Sequence, residues 1–276
     1  MNKSISILFA CVNYNTNDKL NDLLDSINKA YLKTNKNLNI DILIGDNSKK
    51  FQLIPEILEK NIKITHVENR ANLGYIGGVV NSLNESKTNI SNYDYFIISN
   101  VDLKLDDNFF NELIELEQDS SVGWYAPSII SEKEGRDRNP KILYRPSLKK
   151  MKLTILMYKF PIFYYLYLKF IYVLRSKKIQ SNNLNNEIYA GHGSFMIFTK
   201  NFNDKNEDFS FPSFLFGEEI YFAEQVKNSK LKTVYIPKLR IYDFDHASTS
   251  KIKKRKYFKL NYQSMKIITQ KYFTNE

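Results

Sequence analysis

Four consecutive apolar residues, Tyr95-Phe96-Ile97-Ile98, stop abruptly at Ser99-Asn100-Val101-Asp102. So short a run without polar alternation reads as a strand buried on both faces, which requires helices on each side of a sheet. In an open α/β sheet, ligands bind beyond the carboxyl ends of the strands, so Asn100 and Asp102 would aim from an extended backbone at one crevice. An oxygen pair so placed suits a hard divalent cation carrying a diphosphate. The same residues equally suit a turn ahead of a helix begun by Asp106 or Asp107, because Asn and Asp favour turn positions.

The pattern of a strand ending in a polar cluster recurs along the chain. Residues 4–12 are apolar and β-rich and run into Asn13-Tyr14-Asn15-Thr16. Leu20, Leu23, Leu24 and Ile27 then fall at helical spacing, with Asn17 or Asp18 as the expected N-cap. Residues 40–44 end in Gly45-Asp46-Asn47-Ser48, and residues 62–67 in Glu68-Asn69-Arg70. A further amphipathic helix is marked by Phe109, Phe110, Leu113, Ile114 and Leu116, and a strand by residues 122–130. Strands alternating with helices over the first 130 residues predict a mostly parallel sheet flanked by helices, an α/β class.

Glycines punctuate the stretch Asn72-Leu73-Gly74-Tyr75-Ile76-Gly77-Gly78 at the start of an expected helix. They allow a backbone to approach a ligand closely, and free amides at a helix N-terminus favour an anion. A tight packing turn has the same composition. The spacing matches neither the dinucleotide-binding glycine pattern nor a P-loop, since no Lys-Ser/Thr pair follows.

Charge is segregated. The net charge of +10 comes from two segments: residues 141–178 hold ten Lys or Arg and no acid, and residues 251–276 hold eight basic residues and one acid. The rest of the chain keeps 22 basic and 29 acidic residues, a net −7. Such separation points to an anionic surface as partner, or to two solvated basic faces. Within the first segment eight aromatics crowd residues 158–172, but lysines interrupt the run. Its longest charge-free piece, residues 160–168, is far below the roughly 18 residues that span a bilayer. Tyrosine and phenylalanine flanked by cations suit a membrane interface, and they equally suit a buried helical pair bent at Pro161. The single cysteine, Cys11, rules out a disulfide framework and predicts a reducing, cytoplasmic setting, and residues 1–12 read as the first strand rather than a secretory leader.

Three late features complete the pattern. Ile188-Tyr189-Ala190-Gly191-His192-Gly193-Ser194 leads into an apolar strand. Phe216-Gly217-Glu218-Glu219 opens a helix whose apolar side is Ile220, Ala223 and Val226. Two carboxylates at a helix N-terminus are favoured by the dipole, and they also suit a base held at a cleft. A final strand over residues 233–236 leads through Pro237 to Tyr242-Asp243-Phe244-Asp245-His246, where a histidine can be structural or a ligand.

In this order the pieces VNYNT, GDNS, NRANLGYIGG, SNVD, AGHGSFMIF, FGEE and FDH resemble the family 2 glycosyltransferases of GT-A fold, particularly the rhamnosyltransferase-like enzymes of bacterial polysaccharide, capsule and O-antigen synthesis. The likeness runs over residues 4–250, apart from 141–186, and divides the chain into a GT-A domain of residues 1–250, a helical basic and aromatic insertion at 141–186, and a basic C-terminal tail at 251–276. The resemblance implies that Asn13, Asp46, Arg70, Asn72, Gly74, Asn100 and His192 bind the nucleotide-sugar donor, UDP- or dTDP-linked. It implies Mn²⁺ or Mg²⁺ held by Asp102 and His246. It makes Glu218-Glu219 the catalytic acidic pair where many relatives have Glu-Asp, with Glu219, or failing that Glu218, as the base of an inverting transfer. The implied acceptor is a glycan or lipid-linked hydroxyl, and the implied place the inner face of the membrane, with the protein peripheral to it.

Two other functions compete. A nucleotidyltransferase would want a glycine-rich basic loop after the first strand, and residues 12–18 contain neither glycine nor lysine. A membrane-surface binding protein without catalysis would use the basic segments. No nucleic-acid-binding motif is visible, so nucleic acid is not an expected partner.

Overall fold

A computed structural model describes residues 4–34, 37–48, 61–117, 119–165, 186–206, 208–244 and 252–274. The parallel half of the sheet is built from β1 (Ile5–Asn13), β2 (Leu38–Asp46), β3 (Ile62–Glu68) and β4 (Tyr95–Ser99). Helix α1 (Asn17–Leu32) connects β1 to β2, and α2 (Tyr75–Ser86) lies between β3 and β4. The first strand pairs in parallel with both β2 and β4, so β1 lies inside the sheet and is buried on both faces.

The other half is mixed. It contains β5 (Leu103–Leu105), β6 (Val122–Ser131), β9 (Phe195–Thr199) and β10 (Lys232–Asp243), in the overall order β3-β2-β1-β4-β9-β6-β10-β5. Strand β9 is inserted antiparallel between β4 and β6. Two short strands, β7 (Arg136–Asp137) and β8 (Glu187–Ile188), pair with β6 and β10. The strand expected at residues 233–236 continues through Pro237 to Asp243, because a register shift against β6 between Ile236 and Arg240 lets the ladder resume past the proline.

Alternate strand residues serve two cores. On one face Phe9, Ile42, Ile97 and Phe195 pack with Leu23 and Ile27 of α1 and with Phe110 and Leu113 of α3 (Phe109–Ile114). On the other, Leu8, Leu43, Phe96 and Phe198 pack with Val79 of α2, with Phe202 of the short α5 (Lys200–Asn203), and with Phe222 of α6 (Glu218–Asn228).

Residues 252–274, read from the sequence as part of a basic tail, are largely α7 (Lys254–Tyr272), a helix built into this second core. Met265, Ile268 and Phe273 are buried there, and Ser264 donates a hydrogen bond to the Phe216 carbonyl. The exposed lysines of α7 lie on its outer side, so counting charge alone concealed an apolar stripe at helical spacing.

The basic insertion is anchored as well. It includes α4 (Leu148–Lys159), which Ser147 caps by accepting from the Lys150 amide and which packs along α7. Just before it, Arg145 grips Glu224 of α6 in two hydrogen bonds of 2.7 and 2.9 Å and also donates to the Tyr272 carbonyl. Residues 166–185, which carry the end of the aromatic run, fall outside the described residues.

Candidate active site

The carboxyl ends of β1, β2 and β4, the N-termini of α2 and α6, and the turn before β9 converge on one region. One end of it is a net of amides. Asn13 is 1% exposed; its Oδ1 accepts from the Thr16 amide and hydroxyl, and its Nδ2 donates to Asn17 and, at 3.4 Å, to Asp46. With both ends of its amide engaged, Asn13 acts on the site through Asp46.

Burial pushes the Asp46 carboxyl up, but hydrogen bonds from His66, Ser48 and Asn13 outweigh it and hold the group below its ordinary value. His66 Nε2 lies 3.4 Å from Asp46 Oδ2. Next to it, Asn47 donates to the Gly74 carbonyl at 2.8 Å and accepts from Asn69, which in turn accepts from Asn81 and Ser82 of α2. Asn72 turns the chain into α2 by accepting from the Gly74 amide. Arg70 is exposed on the same turn with a left-handed backbone, φ 55°.

Two glycines make the convergence possible. Gly74 has φ 81°, and a Cβ there would lie 2.0 Å from the Phe214 carbonyl oxygen, so only glycine lets the start of α2 abut the loop ahead of α6. Gly193 lies against the acidic pair, where a Cβ would come within 2.8 Å of Glu218 Cγ.

Between these turns stands Tyr75. Its hydroxyl lies 3.5 Å from the Ser194 carbonyl, which also accepts the Asn100 amide at 2.8 Å. Burial, followed by the charges of Glu218, Cys11, Asp102 and Glu219, pushes its phenol well up, so the hydroxyl keeps its proton and remains a donor. Tyr75 is therefore central to the site, although its position in the sequence, one residue after a turn glycine, gave only a weak signal.

Glu218 and Glu219 open α6. Burial, then the neighbouring Glu219 charge, push the Glu218 carboxyl from 4.5 to about 8. Its Oε2 is inaccessible to water and has no hydrogen-bond partner among the described residues. At neutral pH Glu218 thus keeps its proton.

Asp102 occupies the turn between β4 and β5. Register pairs Asp243 with Leu103, so the last residue of β10 reaches the position beside Asp102. Burial, then the Asp243 charge, push the Asp102 carboxyl up against the opposing effect of Arg138 and a hydrogen bond from Asn100. Arg138 binds Asp243 at 2.5 Å. Two carboxylates, Asp102 half-buried and Asp243 buried, with oxygen-bearing neighbours make an oxygen-rich spot that fits a hard divalent cation. Among the described residues no group of three or more His, Cys, Asp or Glu could hold a metal alone, so the fit is to a cation completed by phosphate oxygens or by residues outside them. His246 lies outside the described residues.

His192 is half-buried near this cluster. Its Nδ1 lies 2.9 Å from Ser194 Oγ and accepts the Ser194 amide at 3.2 Å, while its own amide donates to Asn139. Burial, then the charges of Lys141, Arg138 and Arg136, push the imidazole down to about 3, so it is a neutral ring with the proton on Nε2.

Sequence reasoning missed Asn47, Gly193, Arg138 and Asp243 as parts of the site. Asn47 and Gly193 lay inside stretches already singled out, whereas Arg138 and Asp243 carried no local signal because only strand register brings them to Asp102.

No protein-family model matches the chain, and no curated protein matches it in sequence. Its fold, however, is similar to several solved structures. With S. aureus TarS 1-349 in complex with UDP-GlcNAc the TM-score is 0.55 at 10% identity, over 90% of this chain and 62% of that one. With the mannosyltransferase PcManGT from Pyrobaculum calidifontis, in complex with GDP-Man and Mn²⁺, it is 0.52 at 11% identity, over 95% and 64%. With GalNAc-T7 bound to UDP, GalNAc and Mn²⁺ it is 0.53 at 14% identity, over 88% and 44%. The chain thus spans between 44% and 64% of the length of these structures, and what it shares with them is the mixed α/β architecture of GT-A glycosyltransferases.

Proposed function

We propose that the protein is a metal-dependent, inverting glycosyltransferase that moves a sugar from a nucleoside-diphosphate donor, UDP- or dTDP-linked, to a hydroxyl of a glycan or lipid-linked acceptor in cell-surface polysaccharide synthesis. The observation that carries the reading is the acidic pair at the start of α6, with a half-buried, protonated Glu218, sharing a region with Asp102 and Tyr75. Carboxylates set in two places, one for a cation and one for a proton, are what transfer from a diphosphate to a hydroxyl requires. The donors and Mn²⁺ named in the similar structures support the same chemistry.

In this reading Asp46 stays ionised and accepts hydrogen bonds from the donor's base or ribose, with Arg70, Asn72 and Gly74 along the same pocket and Asn13 bracing it. Asp102, with Asn100 beside it and His246, would hold Mn²⁺ or Mg²⁺, which when bound supplies positive charge for the departing diphosphate. Tyr75 keeps its hydroxyl proton and donates into the space between the two carboxylate sites. His192, neutral and held by Ser194, offers an Nε2 proton to a donor oxygen.

Glu219 takes the proton of the acceptor hydroxyl as that oxygen bonds to the anomeric carbon, on the face opposite the leaving diphosphate. The carbon–oxygen bond to the diphosphate breaks with its electron pair, and the configuration inverts. Glu218, already protonated, does not compete for that proton.

The test separates binding from chemistry. Glu219→Gln should retain donor binding, measured as Mn²⁺-dependent thermal stabilisation across a nucleotide-sugar panel, and should lose transfer or donor hydrolysis by about 100-fold or more. Full turnover by Glu219→Gln with loss in Glu218→Gln would reverse the two roles, and no stabilisation by any nucleotide sugar would sink the reading.

A further inference from the structure

The described parts of the two basic segments, residues 141–165 and 252–274, form one surface. Tyr158 of α4 lies 6.2 Å, ring to ring, from both Tyr257 and Phe258 of α7, and Tyr164 lies 5.3 Å from Phe258. Neither residues 141–165 nor residues 252–274 contain a single acid, so no side chain of the joined faces offsets their positive charge.

The outer side of α4 is an exposed stripe at helical spacing: Lys149, Lys152, Leu153, Leu156 and Lys159. The helical residues 161–165 that follow leave Ile162 67% exposed and Phe163 47% exposed. On α7, Lys254, Arg255, Lys256 and Lys259 are exposed next to the shared aromatic seam. Apolar side chains ringed by lysines are wasteful against water and complementary to one partner in particular, a bilayer whose headgroups are anionic and whose acyl boundary takes the rings. No helix among the described residues is long and apolar enough to cross a membrane, so contact through this face is the mode that fits.

The same seam runs to the acidic pair. Tyr257 lies 5.1 Å from the ring of Phe216, which is two residues before Glu218, and the Glu219 charge is felt at Tyr158. We propose that α4, residues 160–165 and the first turns of α7 together dock the protein on an anionic bilayer, with the acidic pair at the edge of the contact. The docking stands on the surface alone. Its consequence, that the acceptor hydroxyl belongs to a lipid-linked molecule, rests on the proposed glycosyltransferase reading.

Flotation of the full chain with vesicles of phosphatidylcholine, alone or mixed with phosphatidylglycerol, tests the docking at low and high salt. Recovery should require the anionic lipid and fall as salt rises, because screening shortens the reach of exposed charge. Each cation near an anionic leaflet multiplies affinity by roughly five-fold, so reversing Arg255 and Lys259, one turn apart on α7, should weaken binding by at least about ten-fold. Ile162→Ser with Phe163→Ser should weaken it further, and both variants should keep the wild-type melting temperature because the changed residues are exposed.

Equal recovery on neutral and anionic vesicles, recovery on neither, or preference for an oligonucleotide over vesicles would overturn the proposal. So would an α7 reversal without effect, since the face would then not be composite. Measuring nucleotide-sugar stabilisation on the same samples separates the two ideas: vesicle binding without donor binding upholds the docking and defeats the enzymatic reading, and donor binding without vesicle binding does the reverse.

Discussion

The two ends of the site are built from different chemistry. At one end Asn13, Asn47, Asn69 and Asn72 form a neutral amide net around one carboxylate, Asp46, whose ionised form is well supplied with hydrogen-bond donors. At the other end half-buried Asp102 lies near Asp243 and half-buried Glu218 near Glu219, each pushed away from its ionised form. The first arrangement stabilises the fold while it shapes a pocket. The second costs stability, and a site that keeps such a cost is one where charge is used.

Removing charge from the second end should therefore raise stability and abolish function together. The largest expected effect is that of Asp102→Asn, which should weaken Mn²⁺-dependent donor binding by about 100-fold, the scale of losing one charge-stabilising group in an active site. Without metal it should melt no lower than the parent, because a partly desolvated carboxylate near Asp243 is gone. An unchanged metal response, read by calorimetry, would break the contrast.

A pH titration sharpens it. Glu218 keeps its proton in the folded protein up to about 8, while in the unfolded chain it ionises near 4.5. Between those values the folded state binds the extra proton, so stability is greatest below the unfolded value. It falls by up to about 1.4 kcal/mol per pH unit as pH rises through the window, then levels off above the folded value. Glu218→Gln should remove that slope from denaturant titrations run across the window; a slope that persists would assign it elsewhere.

The smallest effect belongs to the amide net. Asn47→Ala deletes the link to the Gly74 carbonyl and leaves Asn69 only its longer bond, 3.3 Å, to the Gly78 carbonyl, which should cost about 1–3 kcal/mol of stability at every pH. Equilibrium unfolding measures it, and a pH-dependent loss would mean that the net, too, is electrostatic.

How far the chain could be read from its sequence follows the same division. Short apolar runs located β1, β2, β3 and β4 to within one or two residues, and for β1, β2 and β4 burial on both faces leaves no other use for them. The glycine turn before α2 and the acidic start of α6 were visible because local conformation demands them. What stayed hidden depends on register between distant strands: Asp243 beside Asp102, the antiparallel β9 between β4 and β6, and Ser194 as the joint between Asn100 and Tyr75. The packing of α7 escaped for another reason, because its many lysines dominate the composition while a few apolar residues decide where the helix lies.

The buried strand β1 has one more property of use. Cys11 is the sole cysteine of the chain, it is 1% exposed, and burial pushes its thiol up to about 12. Maleimides react with thiolates that solvent can reach, so the natural protein should stay unlabelled under native conditions. A cysteine introduced at an exposed position such as Leu156 would then carry a fluorophore or spin label at one site, without first mutating the background.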